Sequence, residues 1–392
     1  MIAFTADRLY TPLECVERAL VLVEDGTMVA VQSQSERELP ANAQRFDFKD
    51  SILAPGFVDI HIHGGAGHDV MNSDAAGLEV FERLLAAHGV TSYFPTTVSA
   101  PLEQTLSALD RLAANIERAE AEGATGGCAQ PRGIHLEGPF ISHARRGVHP
   151  PANLLPPTVA MFDRFWQAAR GRIRLMTIAP ELEGAQQVIA EASLRNVCVS
   201  LGHSDADLNT TRAAVAAGAR HATHAFNAMR PLDHREPGIV GGMLTDSRLS
   251  ADIIADGVHL DPAIVDLFLR AKGPEAAVLI TDATAATGMP EGRYRLGSLE
   301  VEVKSGRCTA EGRLAGSVLT MDRAVRNVMQ FAHWELQSVL RLASLNPARV
   351  AGLSGRGKLE AGCPADMVVL SPGGEVRTTF VGGIQQEAGR RS

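Results

Sequence analysis

Hydrophobic and polar positions divide this chain into three stretches. From Ala19 to Phe48 the runs ALVLVEDG and TMVAVQS, then a polar loop and RFDF, read as short strands broken by turns. The far end, KLEAGCPADMVVLSP and EVRTTFVGG, is similar. Neither end is long enough to bury a core alone. The two are therefore expected to pair into one small β-sandwich domain built from both termini, residues 1–51 and 358–392. The closing EAGRRS reads as a frayed tail.

Between residues 52 and 357 the pattern changes. Short apolar, β-branched runs fall at 52–63, 91–98, 133–140, 172–180, 197–204, 221–228, 249–259 and 276–284. Helical stretches such as 77–89, 105–123 and 207–219 lie between them. This alternation predicts βαβ units, and the number of strands points to an α/β fold, a (β/α)8 TIM-like barrel, rather than an open sheet. The segment NPARVAGL (346–353) predicts a helix with Asn346 as N-cap and Pro347 in the first turn.

Length and composition agree with that division. At 392 residues the chain accommodates one ~250-residue barrel and a smaller companion. A net charge of −8 excludes a general nucleic-acid surface, but a few placed cations would still suffice for a small anion. No run approaches the ~18 apolar residues of a membrane span. The first residues lack the basic and apolar regions of a secretory signal. The five cysteines are scattered without a CxxC pair, which argues against both a disulfide framework and a thiolate metal site. A cytoplasmic protein is expected.

The chemistry lies where the apolar runs end. His61 and His63 close the first, Glu137 the third, His203 the fifth, His224 the sixth and Asp282 the eighth. Taken singly, each has an ordinary explanation: a hydrogen-bonded core histidine, or an aspartate capping a turn. Taken together, four histidines and two carboxylates at the barrel's catalytic end call for a metal site. His61 and His63 project to one face, because strand side chains alternate. Imidazole and carboxylate donors without thiolate suit a divalent ion, zinc first, with iron, manganese or cobalt as alternatives. The chemistry expected is hydrolytic, with Asp282 as the base that later protonates a leaving amine.

The stretches APGFVDIHIHG, HLEGPF, LGHS, THAFNAM, ADGVH, TDAT and LAGS, in this order, resemble the N-acetylglucosamine-6-phosphate deacetylases of the amidohydrolase superfamily. The resemblance spans nearly the whole chain. It implies that Glu137, His203 and His224 hold the catalytic metal, and that the retained His61 and His63 could hold a second. It implies that His149, beside Val148, polarises the acetyl carbonyl. Asn227, Ala228, Arg235 and His259 would contact the sugar phosphate, with the clamp completed across a homodimer interface. Leu314, Ala315 and Gly316 would close over the sugar. Dihydroorotase-like relatives are disfavoured, because they need a strand lysine and RIRLMTIAPE has none. N-acetylgalactosamine 6-phosphate, differing at one hydroxyl, remains an alternative substrate. A metal-free scaffold would show broken ligand positions, and here all are intact.

Overall fold

The computed structural model describes residues 1–36, 39–123 and 126–386; the expected tail, 387–392, lies outside them. Each apolar run becomes a short parallel strand: Phe57–Ile62, Val90–Thr97, Ile134–Glu137, Ile173–Ile178, Cys198–Leu201, His221–Ala222, Ala251–Ile254 and Ala277–Ile280. Nearly all their residues are buried, the reason they read as continuous apolar runs rather than alternating ones. The first six pair in sequential order in one curled sheet, with the two-residue Gln130–Pro131 added beside the second. The seventh and eighth pair separately with each other.

Backbone hydrogen bonds bridge the gaps between these sheets. Ala225 N donates to Asp252 O (2.8 Å) between the sixth and seventh strands, and Asp282 N to His61 O (2.9 Å) between the eighth and first. Helices pack outside, several capped by aspartate or threonine. Asp74, Thr158, Asp207 and Asp261 each accept a backbone N–H in the first turn. No helix among the described residues is long and apolar enough to cross a membrane.

The terminal segments join in a seven-stranded mixed sheet, ordered Ile384–Gln385, Val376–Val381, Met367–Leu370, Gln44–Pro55, Ile2–Tyr10, Cys15–Glu24 and Thr27–Ser33. Phe4, Phe46 and Phe380 form its aromatic centre, with the Phe4 and Phe380 ring centroids 4.8 Å apart. Three expectations need correction. The predicted sandwich is one continuous sheet, because Gln44–Pro55 pairs in parallel with Ile2–Tyr10 on one side and antiparallel with Met367–Leu370 on the other, the second pairing joining the two terminal segments. The strand Ile2–Tyr10 itself was not anticipated, its alternation being broken by Asp7 and Arg8. Asn346 is not an N-cap: it lies inside the helix Leu345–Val350, donating from Nδ2 to Pro274 O and Ala277 O.

A further unanticipated element follows the eighth parallel strand. Gly292–Leu296, Leu299–Lys304, Arg307–Ala310 and Arg313–Leu314 form a small antiparallel sheet that reaches over the strand ends.

Candidate active site

Five of the eight parallel strands, the first, third, fifth, sixth and eighth, deliver polar residues at their carboxyl ends into the same mouth. His61 and His63 come from the first strand, one residue apart, and their Nε2 atoms lie 3.3 Å from each other. Glu137 ends the third strand, with His61 at 3.4 Å, His63 at 3.3 Å and both His203 and His224 at 3.2 Å. His203 Nε2 and His224 Nε2 are 3.0 Å apart. Asp282 Oδ1 completes the ring at 3.1 Å from His63 and 3.5 Å from His61. All six groups are buried.

The hydrogen bonds behind the rings fix their tautomers. His63 Nδ1 faces Thr96 O (3.0 Å) and His203 Nδ1 faces Arg145 O (3.0 Å). A carbonyl can only accept, so both Nδ1 atoms carry the proton and both Nε2 atoms point inward to take a cation. Burial alone would raise Glu137, but His61, His203 and His224 outweigh it and hold the carboxyl well below its usual range. Burial would lower His63, yet Asp282 and Glu137 push it well above the ordinary imidazole value. Nitrogens and carboxylate oxygens this close need a positive charge between them, a proton or a metal ion. The donor set has the chemistry of a divalent site, in two adjacent groups: His61, His63 and Asp282, and Glu137, His149 and His203.

His149 is wired the opposite way. Ser99 N donates to its Nδ1 (3.2 Å), and the Ser99 hydroxyl lies 2.8 Å from the same atom. Nδ1 is therefore the acceptor, and Nε2–H points into the mouth, 3.8 Å from Glu137 Oε2. Burial, with His203 nearby, pushes the His149 pKa down to about 3, so the ring stays neutral. Gly138 makes room for this arrangement: its φ is +71°, and a Cβ there would sit 2.4 Å from Ser99 Oγ.

A cavity of about 190 Å³ opens over these groups. His63, Glu137, His149, His203, His224 and Asp282 face it, whereas His61 lies wholly beneath. Val148, Asn227, Ala228, His259, Leu314 and Gly316 line its sides, and Ala315 is buried behind. His259 Nδ1 bonds Asp256 Oδ2 at 2.8 Å. Burial would raise Asp256, but His259 overrides it and lowers the carboxyl. Arg235 is not brought to this cavity: it stands on an exposed loop with its backbone N–H on Asp233 Oδ1 (2.8 Å).

The sequence reading missed the residues that hold the ring. Asp252 grips His221 Nε2 (2.8 Å) and the backbone N–H of His224. His135 lies against His61 with ring centroids 4.6 Å apart and bonds Thr177 Oγ1 (2.8 Å). It also missed Val98, Ile254 and Leu296 in the cavity wall. For Leu296 a signal existed, since RYRL and LEVEVK alternate across a two-residue Gly-Ser turn.

Comparison with known proteins agrees with this geometry. The amidohydrolase family model matches residues 52–385. A Bos taurus N-acetylglucosamine-6-phosphate deacetylase is 41% identical over 89% of this chain and 86% of its own length. An Escherichia coli O157:H7 N-acetylgalactosamine-6-phosphate deacetylase is 39% identical over 96% and 97%. Among solved structures, an aspartate-to-alanine variant of the Mycobacterium smegmatis N-acetyl-D-glucosamine-6-phosphate deacetylase, in complex with N-acetyl-D-glucosamine-6-phosphate, superposes with a TM-score of 0.91. It is 36% identical, and 99% of each chain is covered. Sequence order, curled sheet and clustered donors thus meet in one lineage: the chain belongs to the amidohydrolase family and, within it, to the N-acetylglucosamine-6-phosphate deacetylases.

Proposed function

We propose that this protein hydrolyses the acetamide of N-acetyl-D-glucosamine 6-phosphate to acetate and D-glucosamine 6-phosphate. The observation that carries the reading is the pairing of inward-facing imidazole nitrogens and carboxylates with the opposed Nε2–H of His149 across one cavity. Glu137, His203 and His224 would hold a divalent ion, zinc in the first instance, and His61 and His63 could hold a second. Such an ion lowers the pKa of bound water toward ~7 and polarises a carbonyl. Asp282 takes the proton of the attacking water and later delivers it to the departing amine. His149 donates from Nε2 to the acetyl oxygen, where charge builds in the transition state.

We read the eight parallel strands as a closed (β/α)8 barrel over residues 52–357, with 1–51 and 358–392 as a separate small domain. The sugar would lie along Asn227, Ala228 and the backbone of Leu314, Ala315 and Gly316, beside Val148. His259 would bind phosphate. Arg235, solvent-facing in one copy, would complete the phosphate site of a second in a homodimer, its planar fork suited to paired oxygens. A cytoplasmic setting suits a phosphorylated substrate.

A second reading, N-acetylgalactosamine 6-phosphate, is favoured by the relative that matches 97% of its own length. Acetate release from both sugars by chelator-treated protein, with and without added zinc, tests the pair. Turnover restored by the ion on the gluco epimer supports the first reading. Faster turnover on the galacto epimer installs the second, and none on either, with the ion bound, rejects both.

A further inference from the structure

The cavity has two unlike rims. Asn227, Ala228, Ile254 and His259 stand at the ends of the sixth and seventh parallel strands. Facing them across the ring are His63, Val98 after the second strand, and Leu296 from the antiparallel insertion. The carbon of a scissile amide carries an oxygen, a nitrogen bearing the sugar, and the acyl group. With the oxygen on His149 and the sugar phosphate on the His259 rim, the acyl group has one direction left, toward Val98 and Leu296.

Beyond His63, the Val98 and Leu296 part of that rim is apolar and tightly shut. Val98 is 3% and Leu296 2% exposed. The turn after Leu296 presses on Val98: Gly297 has φ +58°, and a Cβ there would meet Val98 Cγ1 at 2.4 Å. The turn is also tied down, because Asp69 Oδ2 accepts from Gly297 N (2.8 Å) and Asn72 Nδ2 donates to Gly297 O (2.8 Å). Val98 is held from behind, its N–H directed at Met71 Sδ (3.2 Å).

We propose that Leu296 and Val98 form the end wall of the acyl subsite and restrict the substrate to short N-acyl groups, an inference that rests on the deacetylase reading above. A methyl fits against this wall, whereas a longer chain must displace a pinned turn. An extra methylene at an apolar wall discriminates by about 10- to 200-fold.

The test measures kcat/KM of the metal-loaded, full-length protein for N-formyl, N-acetyl, N-propionyl and N-butyryl glucosamine 6-phosphate. Wild-type protein should prefer acetyl over propionyl by at least about tenfold. Leu296→Ala should raise the propionyl-to-acetyl ratio by about tenfold or more, and Leu296→Phe should shift preference from acetyl toward formyl. Because a variant of the insertion could loosen the whole element, Val98→Ala, on a different element, must move the ratio the same way. Ile254→Ala, on the opposite rim, should leave the ratio where it was. Equal wild-type rates on acetyl and propionyl substrates, or ratios unmoved in the Leu296→Ala and Val98→Ala variants while acetate release continues, would overturn the wall. Failure of the wild type to release any acid from any of the sugars would instead overturn the deacetylase reading, and this inference with it.

Discussion

His203, His224 and Asp282 share a backbone property as well as a site: their φ values are +47°, +31° and +51°. Left-handed backbone costs a non-glycine residue roughly 1–3 kcal/mol, and it persists where surrounding structure over-determines it. Here it turns each side chain back into the mouth as soon as its strand ends. Asp282→Asn keeps that shape and removes the base; turnover should fall by about 10²- to 10⁴-fold while metal stoichiometry, read by elemental analysis, stays constant. Away from the mouth, buried Glu82 accepts from Tyr93 Oη (2.8 Å) and Asn115 Nδ2 (3.2 Å), and burial raises its pKa to about 7. A carboxyl raised on folding supports the fold while protonated and loses that support as pH climbs through about 7. Glu82→Gln mimics the neutral acid, so its melting temperature should exceed wild type at pH 8 and match it near pH 5. The reverse order would show that the ionised form is the favoured one. The polar residues of the ring were legible in the sequence because each follows an apolar run. Ser99 was not, since the serine that sets the tautomer of His149 lies 50 positions away from it along the chain.

At the scale of elements, the parallel strands and helices followed from period and punctuation, and their caps are chemical. Asp207 Oδ1 accepts Thr210 N at 2.7 Å and starts the helix Leu208–Ala217 just after the loop carrying His203. That bond, with Thr210 the main cause, lowers the Asp207 carboxyl. Asp207→Ala should cost about 1 kcal/mol in urea unfolding, with Asp207→Asn retaining most of it. Equal loss in both variants would mean that capping is not the cause. Asn346 escaped the same logic. It is a good cap by composition, but its amide is drawn inward by the carbonyls of Pro274 and Ala277. The antiparallel insertion escaped because its strands are half exposed and short, so its alternation resembles loop polarity until Leu296 is seen buried.

For the whole molecule, the decisive residue is the one left outside. Arg235 faces solvent in a single copy, and the proposal gives it to a neighbour's phosphate site. Co-expressing an Arg235→Ala chain with an Asp282→Asn chain should then restore activity that neither homodimer has. Random pairing in a closed dimer makes half the dimers mixed, each with one competent site, so recovery should approach roughly a quarter of wild type at low substrate. Recovery no greater than the sum of the separate variants would keep Arg235 within its own subunit's chemistry or outside it altogether. Pairing of the two termini was legible from composition, but the antiparallel register of Gln44–Pro55 with Met367–Leu370 that joins them was not, because no local signal marks which edge Gln44–Pro55 offers.

That pairing also sets a schedule. Pro55 is bonded opposite Met367, about 300 residues later in synthesis. At ~5–20 residues per second, the N-terminal strands leave the ribosome roughly 15 to 60 s before their partner exists. For that interval Ile52, Leu53, Ala54 and Pro55 offer an open apolar edge, ready to pair with another nascent chain. The late strand Met367–Leu370 acts as a latch that closes the N-terminal sheet, and a ribosome stalled before Met367 leaves that sheet to chaperones.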